Sequence, residues 1–321
     1  MRSVFEELWK AGRFTPVRPY QRFAYVCAAV LVVSGVVHAG VFLIDGGPWE
    51  GPVSWRKPVV FGLSFGITLA TLAWIVGFLR PRRPAGWAVL GTLAVVSLGE
   101  VFLISMQRWR GVASHFNEDT AFDAAVFSVM GLLISVAGLL TVAVTVWSFV
   151  RLDATTSLRW AIRAGLVLML VSQAVGVQMI VEGGNTFGAA GAIKVPHAVT
   201  LHAVQVLPAL ALLLSLSDLP EARRTRVVAM GAAGYAVLIA STAVQTYSGK
   251  APLDIGVLTS VLALIGVGLL ATSAGIALRA LRSPRRPSGS TSPAPTSASA
   301  GGTTSPSEPR SAAAPEADTD R

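Results

Sequence analysis

Glu100 is an acidic residue set deep inside an apolar run, and the side chains that could work with it follow closely: Gln107, then Arg110, His115 and Asn117 within "RWRGVASHFNEDT", Arg108 to Thr120. An ionisable group in hydrocarbon is costly to hold, so its default reading is functional. General acid/base work is the chemistry it suggests, and a structural hydrogen bond between helices is the competing reading. At about 100° per residue, Gln107 returns to the helix face of Glu100, with Ile104 between them. Glu100, His115 and His202 form the candidate catalytic set, and Lys57, Gln107, Arg110, Asn117 and Gln205 are candidates for binding substrate. For any single histidine, capping a helix or sitting at headgroup level is the plainer role.

A metal is the second chemistry these residue types allow. His115, His197 and His202 are candidate ligands, and imidazole together with the Glu100 carboxylate suits zinc or iron. His197 and His202 are five residues apart, about 140° around a helix, so they do not make the i, i+4 clamp and need partners from other helices. A haem held between His38 and His197 or His202 is also allowed by depth. His202 and Gln205 share a face with Pro208 one turn deeper, so "HAVTLHAVQVLP" reads as a polar stripe that then bends. Lys57, Arg108, Arg110 and Lys194 could hold an anionic group on this side, or snorkel as anchors beside Trp55 and Trp109. No phosphate-binding loop, dinucleotide fingerprint or Gly-x-Ser-x-Gly elbow is present.

The elements that must position these groups are membrane spans. Of 321 residues, 53% are hydrophobic and 13% charged, with a mean hydropathy of +0.61, where soluble domains carry roughly 25% charged residues. Lipid cannot satisfy backbone polar groups, and apolar runs of about 20 residues cross it as helices. The expectation is an all-α polytopic bundle of about eight spans: 23–44, 58–79, 87–107, 121–150, 160–181, 196–216, 227–247 and 255–278. Net charge is +9, but the arginines flank apolar runs, which argues for topology and against a nucleic-acid partner. With both termini cytoplasmic, "RPRRP", "RLDATTSLR", "EARRTR" and "RALRSPRRP" all fall inside, and the four histidines all fall in the outer half. That places the protein in the cell membrane as a multi-pass chain.

Thr120 followed by Asp123 reads as a cap opening the fourth span, and Pro196 suits the first turn of the sixth. Residues 1–22 read as an amphipathic cytoplasmic segment, not a cleavable signal, 23–282 as the transmembrane bundle, and 283–321 as a disordered cytoplasmic tail of Ser, Pro, Ala and Gly. Gly62, Gly66, Gly231 and Gly234 predict close helix packing rather than a pore. The single cysteine, Cys27, excludes a disulfide framework.

"SWRKPVVFGLSFGITLATLAW", Glu100 followed by "QRWRGVASHFN", and "HAVTLHAVQVLP" resemble an uncharacterised family of bacterial multi-pass membrane proteins with Lys-Pro, Ser-His-Phe-Asn and His-x4-His-x2-Gln motifs. The resemblance covers roughly residues 50–215 and implies that Lys57, Glu100, Gln107, Arg110, His115, Asn117, His197, His202 and Gln205 matter, without implying a reaction. It also leads one to expect an acidic residue in the fifth span, where this chain has Ser172 and Gln173.

The leading expectation is a polar pocket open to the extracytoplasmic side, built from spans one, two, three and six. It would serve a metal- or proton-transfer-dependent enzyme acting on a small or lipid-like substrate. A proton-coupled transporter with bends at Pro58 and Pro208, or a structural, partner-binding subunit, are the alternatives.

Overall fold

The computed structural model describes residues 17–254 and 256–282. The N-terminal segment up to residue 16 and the tail from residue 283 lie outside the described residues. Among the described residues, eight helical segments are long and apolar enough to cross a membrane. In chain order the helices are α1 (Pro19–Asp45), α2 (Arg56–Leu79), α3 (Arg83–Trp109), α4 (Ala121–Val150), α5 (Thr156–Val181), α6 (Lys194–Leu201), α7 (Ala203–Ser215), α8 (Glu221–Tyr247) and α9 (Val257–Arg282). The chain is thus a multi-pass helical membrane protein. Large apolar side chains such as Val26, Leu43, Leu132, Leu139 and Leu264 face outward, as a surface solvated by lipid requires.

The helix starts explain where the observed spans outrun the apolar runs. Pro19 occupies the first turn of α1 with its φ already helical, and the Arg18 amide donates to Gln21 Oε1 at 3.1 Å, so the helix begins ahead of Phe23. α8 starts at Glu221, not Val227, because the polar "EARRTR" stretch continues the helix beyond the apolar run. A π-helical turn at Trp87–Gly91 interrupts α3. Thr120 caps α4 as its sequence predicts, accepting from the Asp123 amide at 3.1 Å.

The sixth span is not continuous: it breaks at His202, which lies between α6 and α7 with φ −80° and ψ 0°. Pro208 sits inside α7, so the bend expected near it is preceded by an outright break. Between α5 and α6, Thr186–Phe187 (β1) and Gly191–Ala192 (β2) form a small antiparallel hairpin. Gly191 has no substitute there, since a Cβ would stand 2.1 Å from the Thr246 carbonyl oxygen.

The closest packing joins α1 to α2 and α8 to α9. A Cβ on Gly62 would lie 2.8 Å from the Gly35 amide nitrogen, and one on Gly234 would lie 2.9 Å from the Gly266 carbonyl oxygen. Gly66 and Gly231 likewise face neighbouring helices, at Ala28 and Leu210. Small residues let these backbones approach, which in lipid supplies dispersion contact where no hydrophobic drive exists between helices.

Candidate functional site

The last turn of α3 and the first turn of α4 are tied by a buried polar clasp. Asp123 Oδ1 accepts from Gln107 Nε2 at 2.8 Å and from Arg110 Nη1 at 2.5 Å, and Oδ2 accepts from Thr120 Oγ1 at 2.6 Å. Arg110 Nη1 also reaches Gln107 Oε1, and its guanidinium lies over the Phe122 ring, 4.7 Å from the centroid. Gln107 is fully buried, at 0% exposure. Asn117 works inside the loop, donating to the Ala113 carbonyl at 2.9 Å and accepting from the Asp119 amide at 3.1 Å. Gln107, Arg110 and Asn117, expected as substrate-binding groups, are each engaged in hydrogen bonds within this framework. They hold residues 111–119 as one closed excursion.

That excursion carries a second group. Lys57, in the first turn of α2, places Nζ 3.5 Å from Ser114 Oγ, and Ser114 Oγ lies 2.9 Å from His115 Nδ1. Lys57 can only donate to Ser114 Oγ, and the Ser114 hydroxyl donates to His115 Nδ1 in the tautomer that carries the ring proton on Nε2. The imidazole is walled by Phe61, Phe116 and Phe127 at ring-centroid distances of 5.6, 6.3 and 6.5 Å. Burial, reinforced by neighbouring Lys57, pushes the His115 pKa down to about 4, so the ring is neutral at physiological pH. Phe116 holds φ at +56°, a left-handed backbone that a bulky residue adopts at a cost of about 1–3 kcal/mol.

The other histidines are braced elsewhere. His38 donates from Nδ1 to the Ser34 carbonyl at 2.7 Å and accepts at Nε2 from the Trp109 indole at 3.1 Å. Both ring nitrogens of His38 are thus engaged within the bundle. Trp55 and Trp109 stack edge-on beside it, and Arg108 lies 3.9 Å above the Trp55 ring. His197 donates from Nδ1 to the Ser172 carbonyl at 2.8 Å, while Ser172 Oγ donates to the His197 carbonyl at 2.8 Å, a reciprocal brace between α5 and α6. Ser172, one of the two positions where the resemblance leads one to expect an acid, thus serves as this brace. His202 Nδ1 lies 3.3 Å from Gln205 Oε1, and Gln205 Nε2 donates to Thr68 Oγ1 at 3.2 Å, linking α7 to α2.

These partners separate the expected ligands. Among the described residues, no group of three or more His, Cys, Asp or Glu side chains is placed to hold a metal ion. The set drawn from Glu100, His115, His197 and His202 does not assemble, because His115 belongs to the loop beside α2 and α4 while His197 and His202 face α5 and α2. Glu100 itself is 3% exposed, and its Oε2 has no hydrogen-bond partner among the described residues. It lies nine residues inside α3, roughly 13 Å below the end of the helix. Ile104, packed with Val126, Met130 and Phe61, is the apolar layer on its way to the clasp.

A crevice of about 620 Å³ opens between α1, α2 and α7, lined by Tyr25, Ala70, Trp74, Gln205 and Pro208 among others. On α2 its lining begins at Gly66, nine residues or roughly 13 Å along the helix from Lys57, so it is a feature separate from the Lys57–Ser114–His115 group. Sequence reasoning missed Ser114 and the wider role of Asp123. The signals were the adjacency of Ser114 to His115, and the i, i+3 spacing that turns Gln107 and Arg110 together toward the start of α4. No protein-family model, no curated protein and no solved structure matches the chain.

Proposed function

We propose that the protein is an enzyme of the cell membrane that acts on a small or lipid-like substrate at its extracytoplasmic end, with Ser114 as the group whose proton is moved. The observation that carries this reading is the chain from Lys57 through Ser114 to His115. A neutral imidazole accepting the hydroxyl proton is a general base, and an ammonium beside the same oxygen favours the negative charge that develops there. Three phenyl rings set an apolar wall against the half-buried His115 imidazole. Proton transfer, not metal chemistry, is the branch of the expectation that the ligand geometry supports.

The test is a lipophilic fluorophosphonate on the purified protein in nanodiscs, with the labelled peptide mapped by mass spectrometry. Ser114 Oγ bonds to phosphorus, fluoride leaves, and the hydroxyl proton passes to His115 Nδ1. Labelling is expected at Ser114, absent in Ser114→Ala and slowed by about 10²–10⁴ in His115→Phe, the usual worth of a positioned base. Labelling that ignores His115 and Lys57 overturns the reading.

One observation favours a second reading, a proton-coupled transporter. The break at His202 interrupts a span beside the crevice, and Glu100 is buried in the membrane zone with no hydrogen bond at Oε2 among the described residues. Discontinuous helices and lone intramembrane acids are the usual parts of such carriers. Glu100→Gln abolishing pH-driven uptake into vesicles, with Ser114 unreactive, decides for the carrier.

A further inference from the structure

At the arginine-rich end of the bundle, α8 and α9 enclose a second groove of about 420 Å³, lined by Arg223, Arg226, Val227, Met230 and Ile276. Its chemistry is divided. Arg223 and Arg226 are exposed at the mouth, Val227 is buried, and Met230 and Ile276 are partly covered. The two arginines are three residues apart on one helix, where like charges repel unless something answers them. Of the two nearby acids, Glu221 pairs with Arg224 at 3.6 Å and accepts from the Ser157 amide at 2.7 Å, and Asp218 makes no salt bridge with Arg223 or Arg226 among the described residues. Arg226 makes only a long contact to the Ala222 carbonyl, 3.4 Å from Nε, and Arg223 has no salt bridge among the described residues. Two guanidinium groups lacking a carboxylate, set over an apolar groove at a membrane boundary, match an anionic head joined to a hydrocarbon tail. Guanidinium takes phosphate oxygens in paired hydrogen bonds, and basic residues at this boundary attract anionic lipid.

We propose that this groove is a binding site for one anionic phospholipid of the cytoplasmic leaflet, its phosphate between Arg223 and Arg226 and an acyl chain along Val227, Met230 and Ile276. The bound phosphate relieves the repulsion between the arginines. The tail covers apolar surface that the protein leaves open between α8 and α9. The site lies apart from Ser114 and Glu100, so it stands or falls independently of the function proposed above.

Native mass spectrometry of the full chain in neutral detergent, titrated with dioleoyl phosphatidylglycerol, provides the test. One lipid is expected to bind more tightly than the rest, with dioleoyl phosphatidylcholine failing to compete. Arg223→Gln with Arg226→Gln should weaken that first lipid about thirtyfold, each charge near a membrane surface contributing roughly fivefold. Met230→Trp, which fills the groove and leaves the charge unchanged, should weaken it as well. Arg82→Gln with Arg83→Gln removes the same charge from the same end of the bundle and should leave the first lipid in place. Equal loss in that control, equal binding of phosphatidylcholine, or displacement by millimolar inorganic phosphate as effective as by lipid would each overturn the site.

Discussion

Asp123→Ala is the sharpest perturbation of the framework, and its cost follows from what each partner can do afterwards. Arg110, 38% exposed at its side chain, can turn to water and loses little. Gln107, at 0% exposure, cannot, so its amide is left buried and unpaired, a penalty of about 1–3 kcal/mol. The charge-assisted bond from Thr120 adds about 1–2 kcal/mol, while the cap itself survives because it uses the residue 123 amide. The sum is about 3 kcal/mol. Gln107→Leu alone leaves the carboxylate with Arg110 and Thr120 and should cost about 1–2 kcal/mol. Combining Gln107→Leu with Asp123→Ala removes both partners, and the double variant should recover at least about 1 kcal/mol relative to the sum of the singles, because no orphan remains. Equilibrium unfolding in mixed micelles measures all four corners of the cycle. Strict additivity, within about 0.5 kcal/mol, would refute the claim that this clasp acts as a unit.

Other expectations follow from the same geometry. His115 is held neutral down to about pH 4 when folded, against 6.5 for a free histidine, so between those values the unfolded chain binds a proton that the folded chain refuses. Stability should therefore fall as pH drops from about 6.5 to about 4, by about 2–3 kcal/mol once partial exposure is allowed for, and His115→Phe should flatten that slope in unfolding measured at several pH values. Gly62→Ala places a methyl 2.8 Å from the Gly35 backbone and should cost about 1–3 kcal/mol, read as a lowered unfolding midpoint, while Gly40→Ala, in open space on α1, should be silent. Phe116→Gly relieves a left-handed backbone but unroofs His115, so reaction of Ser114 with the fluorophosphonate should speed up while Tm moves by no more than a few degrees.

The spans were legible because lipid leaves composition few choices: long apolar runs with arginines at alternate ends admit one architecture. Thr120 as a cap and the close-packing glycines were readable for equally local reasons. The helix break at His202 was not, since "HAVTLHAVQVLP" carries helix-compatible residues on both sides and its only breaker, Pro208, lies a turn and a half further on. The site was half legible. Residue type drew attention to His115 and Lys57, but their meeting through Ser114 depends on a loop closed by Asp123, a residue whose side chain looked spent on a helix cap. The metal set failed for a related reason. Depth in the membrane placed the histidines at one end, while azimuth, fixed only by tertiary packing, turned His197 toward Ser172 and His202 toward Gln205.

The rate of fluorophosphonate attachment to Ser114 as a function of pH tests the central claim most directly. If His115, buried against phenyl rings and close to Lys57, is the base that takes the Ser114 proton, the rate should stay level from pH 8 to pH 5 and fall only toward about pH 4. A rate that halves near 6.5, the value of a free imidazole, or one unchanged in His115→Phe, would contradict it.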